Sequence, residues 1–229
     1  MFILGLTGSI AMGKSTASRA FRSLGVPVFD ADAGVHGLLA PGGRAVATIA
    51  AAFPDCLGPD GGVDRWALGR RAFDEPVALA RLEAILHPMV EIAQRRFLAR
   101  CAGARRPLVV LDVPLLYETG GERRVDAVAV VSAPPSVQAQ RLRRRPGMSP
   151  ARLAAIRARQ LPDAEKRRRA DFVIPTGLER QRSLIAVVQI VDRVRHRPGK
   201  RWPHAWPLER PARGAGPPPA RRAYSAAAA

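Results

Sequence analysis

Residues 8–15, near the start of the chain, have the residue types and the spacing that bind a polyphosphate. They read Gly-Ser-Ile-Ala-Met-Gly-Lys-Ser, which fits the pattern GxxxxGK[ST]. In such a loop, glycines let main-chain amides turn inward around phosphate oxygens, and the helix that follows adds a partial positive charge. Lys14 would reach the β- and γ-phosphates, and the Ser15 hydroxyl would ligate Mg²⁺. A nucleoside triphosphate is therefore expected to contact Gly8, Ala11, Met12, Gly13, Lys14, Ser15 and Thr16.

The class of phosphate-loop protein is narrowed by what the sequence lacks. GTP-binding switches read guanine with an NKxD motif, and this chain contains no asparagine. Large motor ATPases need more than its 229 residues. A glycine-rich turn that only caps a helix is the alternative to a phosphate site. We interpret the loop as that of a small kinase, which moves a phosphoryl group to a metabolite.

Two carboxylates follow predicted strands and are candidates for the chemistry. Asp32 comes just after a strand predicted at 26–29, and Asp112 follows the apolar run at 108–111. The carboxyl ends of parallel strands meet at one edge of a sheet, where open α/β proteins bind ligands. Asp32 could accept or orient the proton of an attacking hydroxyl, and Asp112 could hold Mg²⁺ through water. Each could instead cap a helix, as could Asp30.

The elements that must position these residues are short apolar strands alternating with helical patterns. This alternation predicts an α/β fold, with a five-stranded parallel sheet covered by helices on both faces. The strands are predicted at Phe2–Leu6, Val26–Phe29, Leu108–Leu111, Ala127–Val131 and Phe172–Ile174. We divide the chain into a kinase core (1–35, 105–135 and 170–195), a helical substrate-binding insertion (36–104), a basic helical lid (136–169) and a disordered basic tail (196–229).

The formal net charge of +18 is concentrated in two stretches. Residues 139–170 carry eleven basic residues against two acidic ones, and residues 196–229 carry seven against one. The first stretch can surround a polyphosphate, where arginine stabilises developing charge. A solvated helix face or a nucleic-acid-binding surface is the alternative. No aromatic residue lies within 139–170, which argues against a platform for stacking single-stranded bases.

Composition restricts the compartment. No run of about 18 apolar residues occurs, and the first residues lack the basic region of a signal peptide. The cysteines, Cys56 and Cys101, lie far apart with no CxxC spacing, which favours a reducing compartment. We expect a cytoplasmic monomer that binds small molecules and neither a membrane nor nucleic acid.

Seven motifs occur in an order that resembles the dephospho-CoA kinase family. They are Gly5-Leu6-Thr7-Gly8 through Lys14-Ser15-Thr16, Asp30-Ala31-Asp32, Leu86-His87-Pro88, Asp112-Val113-Pro114-Leu115-Leu116-Tyr117-Glu118, Gln140-Arg141-Leu142, Arg159-Gln160 and Ala170-Asp171-Phe172-Val173-Ile174. The resemblance covers about residues 1–195. It implies that the chain uses ATP and Mg²⁺ to phosphorylate the 3′-hydroxyl of dephospho-CoA, which gives coenzyme A in the final step of its synthesis. A nucleoside monophosphate kinase or another small-metabolite kinase is the alternative, followed by a basic nucleic-acid-binding protein.

The resemblance also implies roles for single residues. Asp32 resembles the catalytic base, and Arg141 falls in the lid helix near the adenine and phosphates of ATP. Arg159 lies near the end of the lid, from where it could swing onto the transferring group beside Lys14. Dephospho-CoA would contact Asp32, His87, Leu115 and Glu118. Mg²⁺ would be held by Ser15 and Asp112.

The chain departs from the family's pattern in three places. The family usually has Gly where this chain has Ala11, and a positive φ there would cost alanine about 1 kcal/mol. We expect the loop to tolerate it, because Gly8 and Gly13 remain. Pro175-Thr176-Gly177 stands where the family often has Asn before a Gly, which argues against an adenine contact from this loop. The tail has no counterpart that we can match.

Overall fold

The computed structural model describes residues 1–177 and 179–207, apart from the side chain of Asp74. Its strands are β1 (Phe2–Thr7), β2 (Val28–Asp30), β3 (Leu108–Asp112), β4 (Ala127–Ser132) and β5 (Phe172–Pro175). Its α-helices are α1 (Lys14–Ser23), α2 (Ala31–Leu39), α3 (Val46–Ala52), α4 (Arg65–Asp74), α5 (Pro76–Gly103), α6 (Pro135–Arg143), α7 (Pro150–Ala158), α8 (Asp163–Arg169) and α9 (Arg180–Val194). The strands lie where the apolar runs predict them.

The sheet is parallel throughout, in the order β2-β3-β1-β4-β5. Every residue of β1 and β3 is buried, as expected for central strands that have helices on both faces. The register pairs Leu6 with Asp112 and Asp112 with Asp30. The loop after β1 and the carboxylates that end β2 and β3 therefore share one edge of the sheet.

Two layers of helices cover the sheet, so the predicted α/β class is confirmed. On one face, Phe21 of α1 and Val187 and Val191 of α9 pack against Leu4, Leu6 and other strand residues. On the other face, Leu98 and Cys101 of α5 pack against Ile3, Val109 and Leu111. Because neighbouring side chains of a strand point to opposite faces, β1 to β4 contribute to both cores, whereas β5 contributes Phe172 and Ile174 to the first alone.

The insertion predicted at 36–104 is helical and has its own small core. Leu39, Ile49, Phe53, Leu68 and Leu86 are buried together there. Helix α4 begins after Asp64, whose side chain accepts hydrogen bonds from the amides of Trp66 and Ala67. Helix α5 is 28 residues long and contains Pro88, and its second half packs on the sheet.

The basic stretch predicted as a lid forms α6, α7 and α8. Ser149 caps α7 by accepting a hydrogen bond from the amide of Arg152. Helix α8 follows Pro162, and the side chain of Lys166 within it is fully buried. The sequence pattern does not reveal α8 as a separate helix, because its seven residues are too few to show a period.

The segment after α9 does not match the prediction of a disordered tail from residue 196. The amides of Lys200 and Arg201 donate to Asp126 at 2.6 and 3.1 Å. The indole N–H of Trp206 donates to the carbonyl of Arg124 at 3.0 Å, and the ring is only 4% exposed. The prediction was based on average composition, which takes no account of a single large aromatic residue, Trp206, that packs into the core. Residues 208–229 of the predicted tail lie outside the described residues.

Within residues 1–177 and 179–207, no helix combines the length and the apolar character that crossing a bilayer requires.

Candidate active site

The predicted phosphate loop connects the buried strand β1 to α1. Gly13 and Ala11 both have a positive φ, of 89° and 61°. Gly13 is also the N-cap of α1, and no side chain caps this helix. Its first amides therefore point at whatever anion lies before the helix, as in phosphate sites of this type. Ser15 is exposed on the first turn, and Met12 is buried below the loop.

Three charged side chains meet beside this loop. The ammonium of Lys14 lies 2.6 Å from a carboxylate oxygen of Asp112 and 3.6 Å from one of Asp32. Asp112 is almost completely buried, whereas the Asp32 side chain is 65% exposed. Lys14, Asp32 and Asp112 were selected in the sequence analysis from distant parts of the chain, and the structure brings them together. One carboxylate is buried, and the other is largely exposed to solvent.

Burial raises the pKa of the Asp112 carboxyl above its ordinary value, while the charge of Lys14 and its hydrogen bond act in the opposite direction. Desolvation is the larger effect. A group in this position binds a cation readily, because a cation replaces the hydration that burial removed. Lys14 provides that compensation here.

Asp30 and Asp32 have different surroundings. The carboxylate of Asp30 accepts a hydrogen bond from the amide of Ala33 at 3.0 Å, so Asp30 is the N-cap of α2. It also lies 3.7 Å from the guanidinium of Arg22. Asp32 lies in the first turn of α2, near Lys14. Of these two acids, Asp32 has the more exposed side chain, whereas a capping hydrogen bond fixes Asp30 in place.

The donor atoms available for Mg²⁺ are the hydroxyl of Ser15 and the carboxylate of Asp112. Both are hard oxygen ligands, which Mg²⁺ prefers. Among the described residues, no group of three His, Cys, Asp or Glu side chains could hold a metal ion by itself. Mg²⁺ usually binds through one or two side chains together with substrate phosphates and water, so this donor set fits the ion.

The two predicted lid arginines have different partners. The guanidinium of Arg141 donates to the carbonyl of Ala11 at 3.2 Å and to the carbonyl of Thr176. It therefore lies directly against the phosphate loop. Arg159 forms an ion pair with Glu83 of α5, which links the end of the lid to the insertion. The described structure does not bring Arg159 to the loop.

The residues predicted to contact the acceptor are more scattered. His87 is exposed on α5, and Leu115 is half-buried in the loop after β3. Glu118 faces inward: one carboxylate oxygen lies 2.8 Å from the ammonium of Lys166 and accepts the amide of Leu161 at 2.8 Å. Glu118 thus connects the loop after β3 to the end of the lid.

Sequence reasoning missed several side chains that bind the phosphate loop from outside. Gln138 donates to the carbonyl of Ile10 at 2.9 Å, and Gln160 accepts the amide of Ile10 at 3.0 Å. The hydroxyl of Thr176 donates to the carbonyl of Met12. Gln160 belongs to the Arg159-Gln160 motif, so the sequence did point to this residue. Thr176 was noted only as part of a departure from the family's pattern.

The chain is similar to known proteins over most of its length. A model of the dephospho-CoA kinase family matches residues 2–179. The chain is 60% identical over 176 residues to a dephospho-CoA kinase of Rhodospirillum rubrum, covering 77% of this chain and 83% of the relative. It is 50% identical over 199 residues to a dephospho-CoA kinase of Mesorhizobium japonicum, covering 87% and 100%.

Solved structures share the fold. The crystal structure of TT1252 from Thermus thermophilus superposes with a TM-score of 0.71 at 33% identity, covering 84% of this chain and 96% of that one. A dephospho-CoA kinase from Campylobacter jejuni superposes with a TM-score of 0.58 at 24% identity, over 84% and 96%.

Proposed function

This chain belongs to the dephospho-CoA kinase family, and on that premise we propose how its own residues perform the reaction. The enzyme transfers the γ-phosphoryl group of ATP to the 3′-hydroxyl of dephospho-CoA, which gives coenzyme A and ADP. The observation that carries the assignment of residues is the meeting of Lys14, Asp32 and Asp112 at the phosphate loop.

Asp32 is the proposed catalytic base. Its carboxylate is exposed, adjoins the loop and belongs to the rigid first turn of α2. It accepts the proton of the 3′-hydroxyl, whose oxygen then bonds to the γ-phosphorus while the bond from that phosphorus to the β–γ bridging oxygen breaks. Lys14 neutralises negative charge that accumulates on the phosphate oxygens.

Mg²⁺ is the proposed metal, held by Ser15, by Asp112 through water, and by the phosphates of ATP. When bound, the ion would neutralise negative charge on the phosphates. Asp112 supplies a buried carboxylate at the end of β3. This assignment depends on the negative charge of the Asp112 carboxylate.

The acceptor is proposed to bind between the insertion and the edge of the sheet, with His87 and Leu115 beside it. Arg141, already at the loop, would face the triphosphate. Arg159 would reach the transferring group only after leaving Glu83. Glu118 would influence the acceptor through the loop after β3, because its carboxylate is engaged by Lys166 and Leu161.

The reaction itself is tested with purified protein, ATP and Mg²⁺. Dephospho-CoA should give coenzyme A and ADP in equal amounts, whereas a panel of nucleoside monophosphates should give no comparable turnover. A preference for a nucleoside monophosphate would replace the acceptor and keep the mechanism. A folded protein that binds duplex DNA or RNA but turns over no acceptor would overturn the proposal.

Asp32→Asn should lower kcat by about 100-fold or more, because general-base catalysis supplies a factor of that order. ATP affinity should change little, since Asp32 faces the acceptor. Lys14→Ala should damage both kcat and ATP affinity. Asp55→Asn, an exposed carboxylate of the insertion, is the matched control for removing one charge. Full activity in Asp32→Asn would exclude the proposed base.

A further inference from the structure

The phosphate loop is held from outside by side chains that come from distant parts of the chain. Gln138 and Gln160 bind the main chain of Ile10, Arg141 binds the carbonyl of Ala11, and Thr176 binds the carbonyl of Met12. Three consecutive residues of the loop are thus each bound by a side chain. Most of these side chains belong to the lid, but Thr176 lies in the loop after β5.

Thr176 makes the most contacts of this group. Its amide donates to the carbonyl of Ser132 at 2.8 Å, which fixes its main chain to the end of β4. Its hydroxyl donates to Met12 and lies 3.2 Å from the carbonyl of Ser132. Its own carbonyl accepts from the guanidinium of Arg141. The side chain is 6% exposed, so these bonds are shielded from water.

The position of Thr176 also explains why residue 13 has no side chain. A Cβ atom on Gly13 would lie 3.0 Å from the Cβ of Thr176 and 3.2 Å from the guanidinium of Arg141. Threonine and arginine therefore pack directly onto the backbone of the loop. A larger residue at 13 would push both away.

The backbone conformation of Ala11 gives the contacts of Thr176 and Arg141 with the loop a further role. Its φ of 61° is one that a residue with a Cβ adopts only against a steric penalty. The main-chain groups of Met12 and Gly13, which follow Ala11, form the part of the loop that would surround phosphate. The hydrogen bonds to the carbonyls of Ala11 and Met12 hold two consecutive peptide groups, and so oppose relaxation of Ala11 out of this conformation.

We propose that Thr176 is a positioning residue for ATP binding, which keeps the loop in its phosphate-binding shape despite alanine at position 11. The hydroxyl acts on Met12 directly, and the carbonyl acts on Ala11 through Arg141. Thr176 need not touch the nucleotide for this role. The inference rests on the proposed function, because it assumes that residues 8–15 bind the phosphates of ATP.

The decisive experiment compares Thr176→Val in two backgrounds, the natural chain and Ala11→Gly. Valine keeps the shape of threonine and removes the hydroxyl. Affinity for ATP in the presence of Mg²⁺ is measured by calorimetry, and the melting temperature of each variant is recorded. Ser183→Ala is the matched control, because the buried Ser183 hydroxyl donates to the carbonyl of Pro175 in the same loop at 2.6 Å.

In the natural background, Thr176→Val should weaken ATP binding about tenfold, the effect of one hydrogen bond at the upper end of its usual range. Thr176→Ser, which keeps the hydroxyl, should recover most of that loss. The KM for dephospho-CoA should not move. Ser183→Ala should lower the melting temperature without weakening ATP binding.

In the Ala11→Gly background, the effect of Thr176→Val on ATP affinity should fall to about threefold or less, because glycine adopts a positive φ without penalty. An equal effect in both backgrounds would overturn the proposal, as would a loss of thermal stability with unchanged ATP affinity. Failure of the natural chain to bind ATP at all would instead overturn the proposed function.

Discussion

Asp112 combines two properties that oppose each other in an isolated carboxylate: it is almost fully buried, and its proposed role requires a negative charge. Burial raises its pKa, and the ammonium of Lys14 at 2.6 Å limits the rise. The pair therefore forms a local neutral unit at the end of β3. Under the proposed function, ATP and Mg²⁺ would replace the two partners of this pair, since the nucleotide would offer Lys14 an anion and the metal would offer Asp112 a cation.

A pH dependence follows at this residue. Because the pKa of Asp112 is raised, its protonated form appears at a higher pH than for an ordinary aspartate, and protonation removes the charge that the metal needs. As pH falls, kcat/KM for ATP should therefore decline earlier than an exposed aspartate would dictate. The check is a pH profile of kcat/KM at saturating dephospho-CoA. A flat profile through the range above the ordinary aspartate pKa would contradict it.

Among the elements, α8 ties the lid to the loop after β3. The Lys166 side chain is fully buried and lies 2.8 Å from Glu118, which also accepts the amide of Leu161 just before α8. Two charges in this position are stable only as a pair, because each alone would lack the solvation that burial removed. The pair fixes where the lid returns to the sheet, between α7 and β5.

Removing the ammonium in Lys166→Ala should therefore lower the free energy of unfolding by about 3–5 kcal/mol, the usual cost of leaving one buried partner alone. The double variant Lys166→Met with Glu118→Gln should lose less, since neither charge remains. Urea unfolding measures both. Arg168→Ala removes an exposed ion pair from the same helix and is the control. Similar losses from Lys166→Ala and from that control would show that Lys166 is no anchor.

On the scale of the whole molecule, the chain closes on itself at the edge of the sheet opposite the site. Trp206 belongs to the same core as Ile3, Leu98 and Val128, and the guanidinium of Arg124 lies 5.3 Å from the centre of its ring. Truncation after Arg195 therefore removes part of a core. Such a deletion confuses loss of the tail with loss of folding, and a single substitution is more informative.

Trp206→Ala should lower the free energy of unfolding by about 3–5 kcal/mol, the range for removing a large buried aromatic. Below its lowered melting temperature the variant should keep the KM for ATP, because Trp206 binds Arg124 just before β4, whereas the phosphate loop follows the opposite, carboxyl end of the parallel strand β1. Trp66→Ala, which alters an indole that is 69% exposed, is the control for stability. Equal melting temperatures for the two variants would exclude a core role for residues 196–207.

The parts of the protein that are local in the chain follow from the amino-acid sequence alone. The phosphate motif, the strand before it and the helix after it are contiguous, so residue type and spacing predict both the loop and its ligand. The apolar runs predict β1 to β5 for the same reason. Asp32 and Asp112 were selected because parallel topology brings strand ends together, and their distances to Lys14 agree with that selection.

Which of several similar residues takes a given place in the structure depends on how the chain folds. Asp30 became a cap and Asp32 an exposed acid because α2 starts between them. Lys166 and Trp206 became core residues because the lid and the last segment fold back onto the sheet. Thr176 meets Met12 across 164 residues of chain. Such contacts follow no sequence period or motif, because the side chains that form them become neighbours only when the chain folds.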